Sequence, residues 1–285
     1  MKERLNVGGV VGETFGLFFR SAHIFLLLLI LPYLLLGIIQ AILFAAEIGP
    51  SGAMGLVTFA LSLLMGVWVL ASLSMAALRR QTRQRVQIFY CLRRGLVYLP
   101  ILLVLFLAFG LMIGVAIVGL YFLFAVVGLT MADSSLINSL IVLPLVLPLA
   151  LLPMVAILYL GARFGLFVTV AVAEGAGLAS LSRASQLTNG YRWPVLAALL
   201  LTLCGMLAML AVVSLVVGVS YAILPAPNLG LAAWPALWIF ITAVTTIVFL
   251  GVVIGLPAAF GASLYARLRR LQEGIDTEDV AAVFE

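Results

Sequence analysis

Arginine carries most of the polar chemistry available to this chain. Six arginines fall between positions 79 and 94 (Arg79, Arg80, Arg83, Arg85, Arg93 and Arg94), interleaved with Ile88, Phe89, Tyr90 and Leu92. Cations set among aromatic and aliphatic side chains at a membrane surface attract anionic lipid, at about 1 kcal/mol for each one near a charged leaflet. Arg183 and Arg192 extend the same headgroup-contact set. These charges would equally mark the side of the membrane on which their loops remain, and the two roles are compatible. Carboxylates are scarce. Glu13 and Glu174 are the only acids in the basic stretches between Arg4 and Arg267, and each is expected to pair with a nearby arginine. Glu47 and Asp133 stand in two separate turns, which is a poor basis for acid/base catalysis. The single His23 lies near Arg20 with no cysteine or acidic cluster beside it, so neither a zinc site nor a nucleophile–base pair can be assembled. Cys91 and Cys204 fall at different expected membrane depths, which argues against a disulfide. No phosphate-cradling glycine loop or hydrolase elbow occurs in a suitable context. The expectation is a protein without catalysis, metal or cofactor. An enzyme acting at the headgroup level through Glu174 and Arg183 is the weakest alternative.

The elements that must position these residues follow from hydrophobicity. Of 285 residues, 66% are hydrophobic and 9% charged, and mean hydropathy is +1.33. A soluble domain carries roughly a quarter charged residues around one core, so lipid must solvate much of this surface. Apolar runs longer than about 18 residues recur, and runs such as Ile24 to Ile39 lack the alternation of a β-barrel strand. The fold class is therefore all-α, a polytopic membrane bundle. Six spans are expected near 24–46, 53–78, 97–131, 136–162, 194–224 and 233–266. All 15 Lys and Arg residues then fall on one side, with only Glu47 and Asp133 opposite. The excess of +5 reads as topology, not as a nucleic-acid partner, and the positive-inside rule puts both termini in the cytoplasm. Residues 1–270 form one domain on this reading, followed by a short acidic tail over 271–285.

Amphipathic segments precede spans one, three and five. Phe15 to Arg20, Phe89 to Arg94 and Leu181 to Leu187 are the three copies of an expected repeat, each leading into a helical hairpin. Val7, Val10, Val11, Phe15 and Phe18 share a helical face, which suits either a helix flat at the headgroups or a connector packed on the bundle. Span four ends near Arg163 on this reading, with Phe164 to Ala173 along the interface or extending a tilted helix. Pro144, Pro148 and Pro153 crowd that span, and each removes a backbone donor. A transport or lipid-translocating path beside it is the main alternative function. No ionisable residue stands at mid-span, and the polar groups there (Ser62, Ser72, Ser74, Thr202 and Thr246 among them) are expected to bond their own helix or glue helices together. Two glycine pairs, Gly110/Gly114 and Gly251/Gly255, offer smooth strips for close helix approach, within the bundle or in a dimer.

One stretch is familiar. Arg183-Ala-Ser-Gln-Leu-Thr-Asn-Gly190, followed by Arg192-Trp193 and an apolar run, resembles the Arg-Ser-x-x-Leu-Thr-x-Gly-x-x-Trp motif of the bacterial glycerophosphoryl diester phosphodiesterase membrane-domain family. Arg183, Leu187, Thr188, Gly190 and Trp193 carry the match, and Ala184 stands where that pattern has serine. The resemblance implies a bacterial inner-membrane module of six helices without the catalytic barrel. It implies no substrate. The expected partners are membrane lipids, a protein partner or further copies of the chain.

Overall fold

Apolar runs with no water to bond their peptide groups must close their hydrogen bonds internally, and helices do so one at a time. The computed structural model describes residues 5–45, 52–132, 155, 157–223 and 234–274, and among them there is no strand. The helices are α1 (Val7–Ala45), α2 (Gly52–Gln81), α3 (Ile88–Ala132), α4 (Phe167–Glu174), α5 (Ser180–Leu187), α6 (Arg192–Ile223) and α7 (Trp234–Glu273). A further helical stretch over 157–164 reaches α4 through a two-residue turn. Six segments among the described residues are long and apolar enough to cross a membrane: Val7–Leu43, Gly55–Gln81, Ile88–Ala108, Ile157–Glu174, Arg192–Val219 and Ile241–Glu273. The chain is an all-α, multi-pass membrane bundle.

Three helices form its centre. α1, α2 and α7 pack pairwise, α3 lies on α2, and α6 lies against α7 and α1. Phe25, Leu28, Leu73, Met75, Leu256 and Tyr265 are among the side chains sealed within. Outward faces are as apolar as the inside: Leu201, Leu207, Val212 and Leu215 of α6 are all more than half exposed, as expected where lipid is the solvent. Glycines mark the closest approaches. A methyl group on Gly255 would stand 3.2 Å from the Phe18 and Phe25 rings, and one on Gly251 would stand 3.6 Å from Leu26. The Gly251/Gly255 strip is thus filled by α1. Nothing lies within 4 Å of the same position on Gly110 or Gly114. Ser62, Ser72, Ser74, Thr202 and Thr246 each donate to the carbonyl four residues earlier, which satisfies the hydroxyl inside its own helix.

The structure decides between several expected alternatives. The segment before span one is the connector packed on the bundle. α1 runs unbroken for 39 residues, about 58 Å at 1.5 Å per residue against a hydrocarbon core of about 30 Å. Its shared face packs on the bundle, with Val10 and Phe18 buried and Phe15 filling the space beside Gly205. Phe89 to Arg94 likewise belongs to the continuous α3. The third copy differs, because Thr188 to Tyr191 turn the chain between α5 and α6. The segment after Arg163 continues the same candidate span, Ile157–Glu174, across a two-residue turn. Phe167 to Ala173 are all buried, held against α2, α3 and α7. Thr169 of α4 sits so close to Gly261 of α7 that any Cβ there would collide with its hydroxyl. The last helix continues through Glu273, three residues past the expected end of the domain. Pro144, Pro148 and Pro153 lie outside the described residues, as does the rest of the tail beyond Gly274.

Candidate functional site: a basic cleft between three helices

The described arginines gather toward one end of the bundle. There α1, α2 and α7 leave a cleft of about 650 Å³. α1 lines it with Glu13, Gly16, Leu17 and Arg20, and α7 with Ser263, Ala266, Arg267 and Arg270. Both sets follow the i, i+3, i+4, i+7 spacing of a single helical stripe. The end of α2 closes the cleft with Arg80, Gln81 and Arg83. Five guanidinium groups therefore face one carboxylate.

That carboxylate is committed. Glu13 accepts from Arg267 Nε at 2.8 Å and from Arg267 Nη2 at 2.5 Å, a two-pronged pair that ties residues 254 positions apart. Gly9 makes room for it: a Cβ there would be 2.6 Å from Arg267 Nη1. Asn6 caps α1 by accepting from the Gly9 N–H at 3.1 Å, and its carbonyl accepts from Arg267 Nη1 at 3.4 Å. By contrast, the side chains of Arg20, Arg80 and Arg83 have no hydrogen bond or ion pair among the described residues. The amide oxygen of Gln81 is also buried without a partner.

The backbone of Arg83 is unusual. The Arg83 N–H donates to the Arg80 carbonyl (3.2 Å) and the Gln84 N–H to the Arg79 carbonyl (2.9 Å), which is the Schellman ending of a helix. That motif needs a left-handed residue at the Arg83 position, where φ is +59°, and glycine is its usual occupant. Arg83 is the only non-glycine with positive φ among the described residues.

The structure divides the arginines expected from sequence. Arg80 and Arg83 enter the cleft together with Arg20, Arg267 and Arg270, which the sequence alone marks only as topology charges. Arg79 lies 3.9 Å from the centre of the Tyr90 ring. Arg94 donates to the Tyr90 and Tyr98 hydroxyls at 3.2 and 3.3 Å. Arg85 and Arg93 are exposed. Arg192 donates to the Tyr159 hydroxyl at 2.8 Å.

Arg183 has its partners within the chain. Its guanidinium bridges Glu174 of α4 (3.1 Å) and Glu273 of α7. Burial lowers its proton affinity, but the charges and hydrogen bonds of Glu174 and Glu273 outweigh that and raise it above the ordinary value. Tyr265 donates to Glu174 at 3.0 Å and Arg269 donates to Glu273 at 2.9 Å, completing a network. Glu174 is thereby fully engaged in holding α4, α5 and α7 together. The rest of the familiar motif is structural too. Leu187 is buried, and Thr188 is buried with its hydroxyl donating toward the Ala184 and Arg163 carbonyls at 3.0 and 3.2 Å. Gly190 supplies φ +86° for the turn into α6. Trp193 is 81% exposed, as an aromatic anchor at a membrane–water boundary would be.

Neither a protein-family model, nor a curated protein, nor a solved structure matches the chain. Its class rests on its own helices and site: a multi-pass membrane bundle with a basic cleft where its first, second and last described helices meet.

Proposed function

We propose that this chain is a non-catalytic protein of the bacterial inner membrane, with both termini in the cytoplasm, whose arginine-bearing end holds anionic lipid. The observation that carries this is the gathering of arginines at one end of a bundle otherwise clad in apolar side chains. Exposed Trp193 supports it, since the amphipathic indole settles at the headgroup level. Positive charge on the retained side of the membrane supports the orientation. The resemblance of Arg183 to Trp193 to the phosphodiesterase membrane domain supports a bacterial membrane module.

The test uses arginines outside the cleft. Replacing Arg85, Arg93 and Arg94 together by Gln should weaken the preference for phosphatidylglycerol over phosphatidylcholine in mixed nanodiscs. At about 1 kcal/mol for each cation, the triple change should reduce that preference by about two orders of magnitude at low salt, and less at physiological ionic strength. An unchanged preference, read by native mass spectrometry of the retained lipid, would remove the proposal.

A further inference from the structure

We infer that the cleft between α1, α2 and α7 is a binding site for a phosphate monoester or diphosphate group. The inference rests on the lipid-contact reading above and narrows it from a basic rim to one built site. Charge is the first argument. Arg20, Arg80 and Arg83 have no side-chain partner among the described residues, and the single acid of the cleft is already held by Arg267. A phosphodiester, with one negative charge, would leave most of that positive charge uncompensated. A terminal phosphate carries about −1.5 to −2 near neutral pH and three acceptor oxygens. Planar guanidinium forks match such oxygens in pairs.

Shape is the second argument. The cations come from separate helices onto one concave space, so a ligand between them is met from several sides. The cleft's 650 Å³ is about twenty times the liquid volume of a water molecule and falls within the usual range of small-molecule sites. A bare phosphate would fill only part of it. The remainder suits the group that bears the phosphate, and the buried amide oxygen of Gln81 can accept from a hydroxyl on that group. Gly16 forms part of the wall, with nothing within 4 Å of where its Cβ would stand. Packing therefore does not require glycine there, and its absent side chain keeps the cleft open.

Backbone geometry is the third argument. Arg83 occupies a left-handed turn position that glycine would hold with less strain. A guanidinium kept at such a place belongs with a function at that place.

Gly16→Leu separates this site from general electrostatics, since it occupies the cleft, keeps every charge and improves helix propensity. The full chain in detergent micelles would be offered phosphatidic acid or phosphatidylglycerol at equal amounts, with retention read by native mass spectrometry. Inorganic pyrophosphate would be titrated calorimetrically in parallel. Wild type should retain phosphatidic acid about tenfold better than phosphatidylglycerol, bind pyrophosphate, or both, and Gly16→Leu should weaken that binding at least about tenfold. Arg20→Gln with Arg83→Gln should do the same should Gly16→Leu fail to fold. Phosphatidic acid retention identifies a lipid source of the phosphate, and pyrophosphate binding alone identifies a soluble one. Binding of neither probe, or binding that survives both variants, overturns the site. In that event the triple change at Arg85, Arg93 and Arg94 still tests the rim by itself.

Discussion

Arg83 sets fold against function at a single residue, and the two can be separated. A non-glycine residue in the left-handed region costs about 1–2 kcal/mol, because Cβ crowds the backbone. Arg83→Gly removes that cost but admits a more flexible unfolded chain, which takes back about 0.5–1 kcal/mol. The net expectation is a gain of about 0.5–1 kcal/mol, or about 2 °C in Tm on the scale of globular proteins this large. Arg83→Ala is the control. It also loses the guanidinium but keeps Cβ at φ +59°, so it should show the same loss of phosphate binding without the gain. Thermal unfolding in one detergent, followed by tryptophan fluorescence, compares the three proteins. Should Arg83→Gly be no more stable than Arg83→Ala, the left-handed turn stores no strain and the backbone argument for the cleft fails. Should Arg83→Gly be more stable and still bind wild-type levels of phosphatidic acid, the strain is real but unrelated to the ligand.

Arg183→Leu should destabilise the bundle by about 2 kcal/mol, since Glu174 and Glu273, 18% and 20% exposed, lose their shared cation, while partial solvation of the guanidinium keeps the figure modest. Arg183→Lys should recover only part of this, because one ammonium cannot reproduce the fork; full recovery in thermal melts would show that charge alone suffices. Gly261→Ala should cost about 1–3 kcal/mol by forcing α4 away from α7, and Thr169→Ala should restore much of it by removing the obstructing hydroxyl. Strictly additive effects in that double-mutant cycle would refute the proposed contact.

Class is legible from the chain alone, because it is written in local composition. Runs such as Ile24 to Ile39 need only be long and apolar. The pairing of Glu13 and Glu174 with arginines follows from the scarcity of acids. The cleft is not legible in this way. Its cations come from α1, α2 and α7, and no local pattern says that Arg20 will meet Arg267. A retrospective signal exists in Glu13-x-x-Gly16-Leu17-x-x-Arg20 and Ser263-x-x-Ala266-Arg267-x-x-Arg270, where a small residue is followed by arginine along one stripe. Hydropathy also ends the first span where charge begins, although the helix does not end there. The bundle covers Phe18 and Phe25 on either side of Arg20 to His23, so α1 continues toward Val7. The Phe167 to Ala173 run is apolar enough for lipid, and only tertiary contact with α2, α3 and α7 turns it inward.

The pairing of α1 with α7 also bears on how the molecule is made. α1 leaves the ribosome early, but the helix that covers Phe18 and Phe25 and supplies Arg267 and Arg270 is the last described helix to be synthesised. Until it arrives, the first helix carries Glu13 without its cation, and Glu174 and Arg183 wait for Glu273. Contacts this distant along the chain form late, because the intervening loop must close before they reward it. Insertion can therefore proceed hairpin by hairpin, whereas the basic end is completed in a single closing step. A nascent chain lacking α7 can be membrane-embedded and largely helical yet have no site to offer.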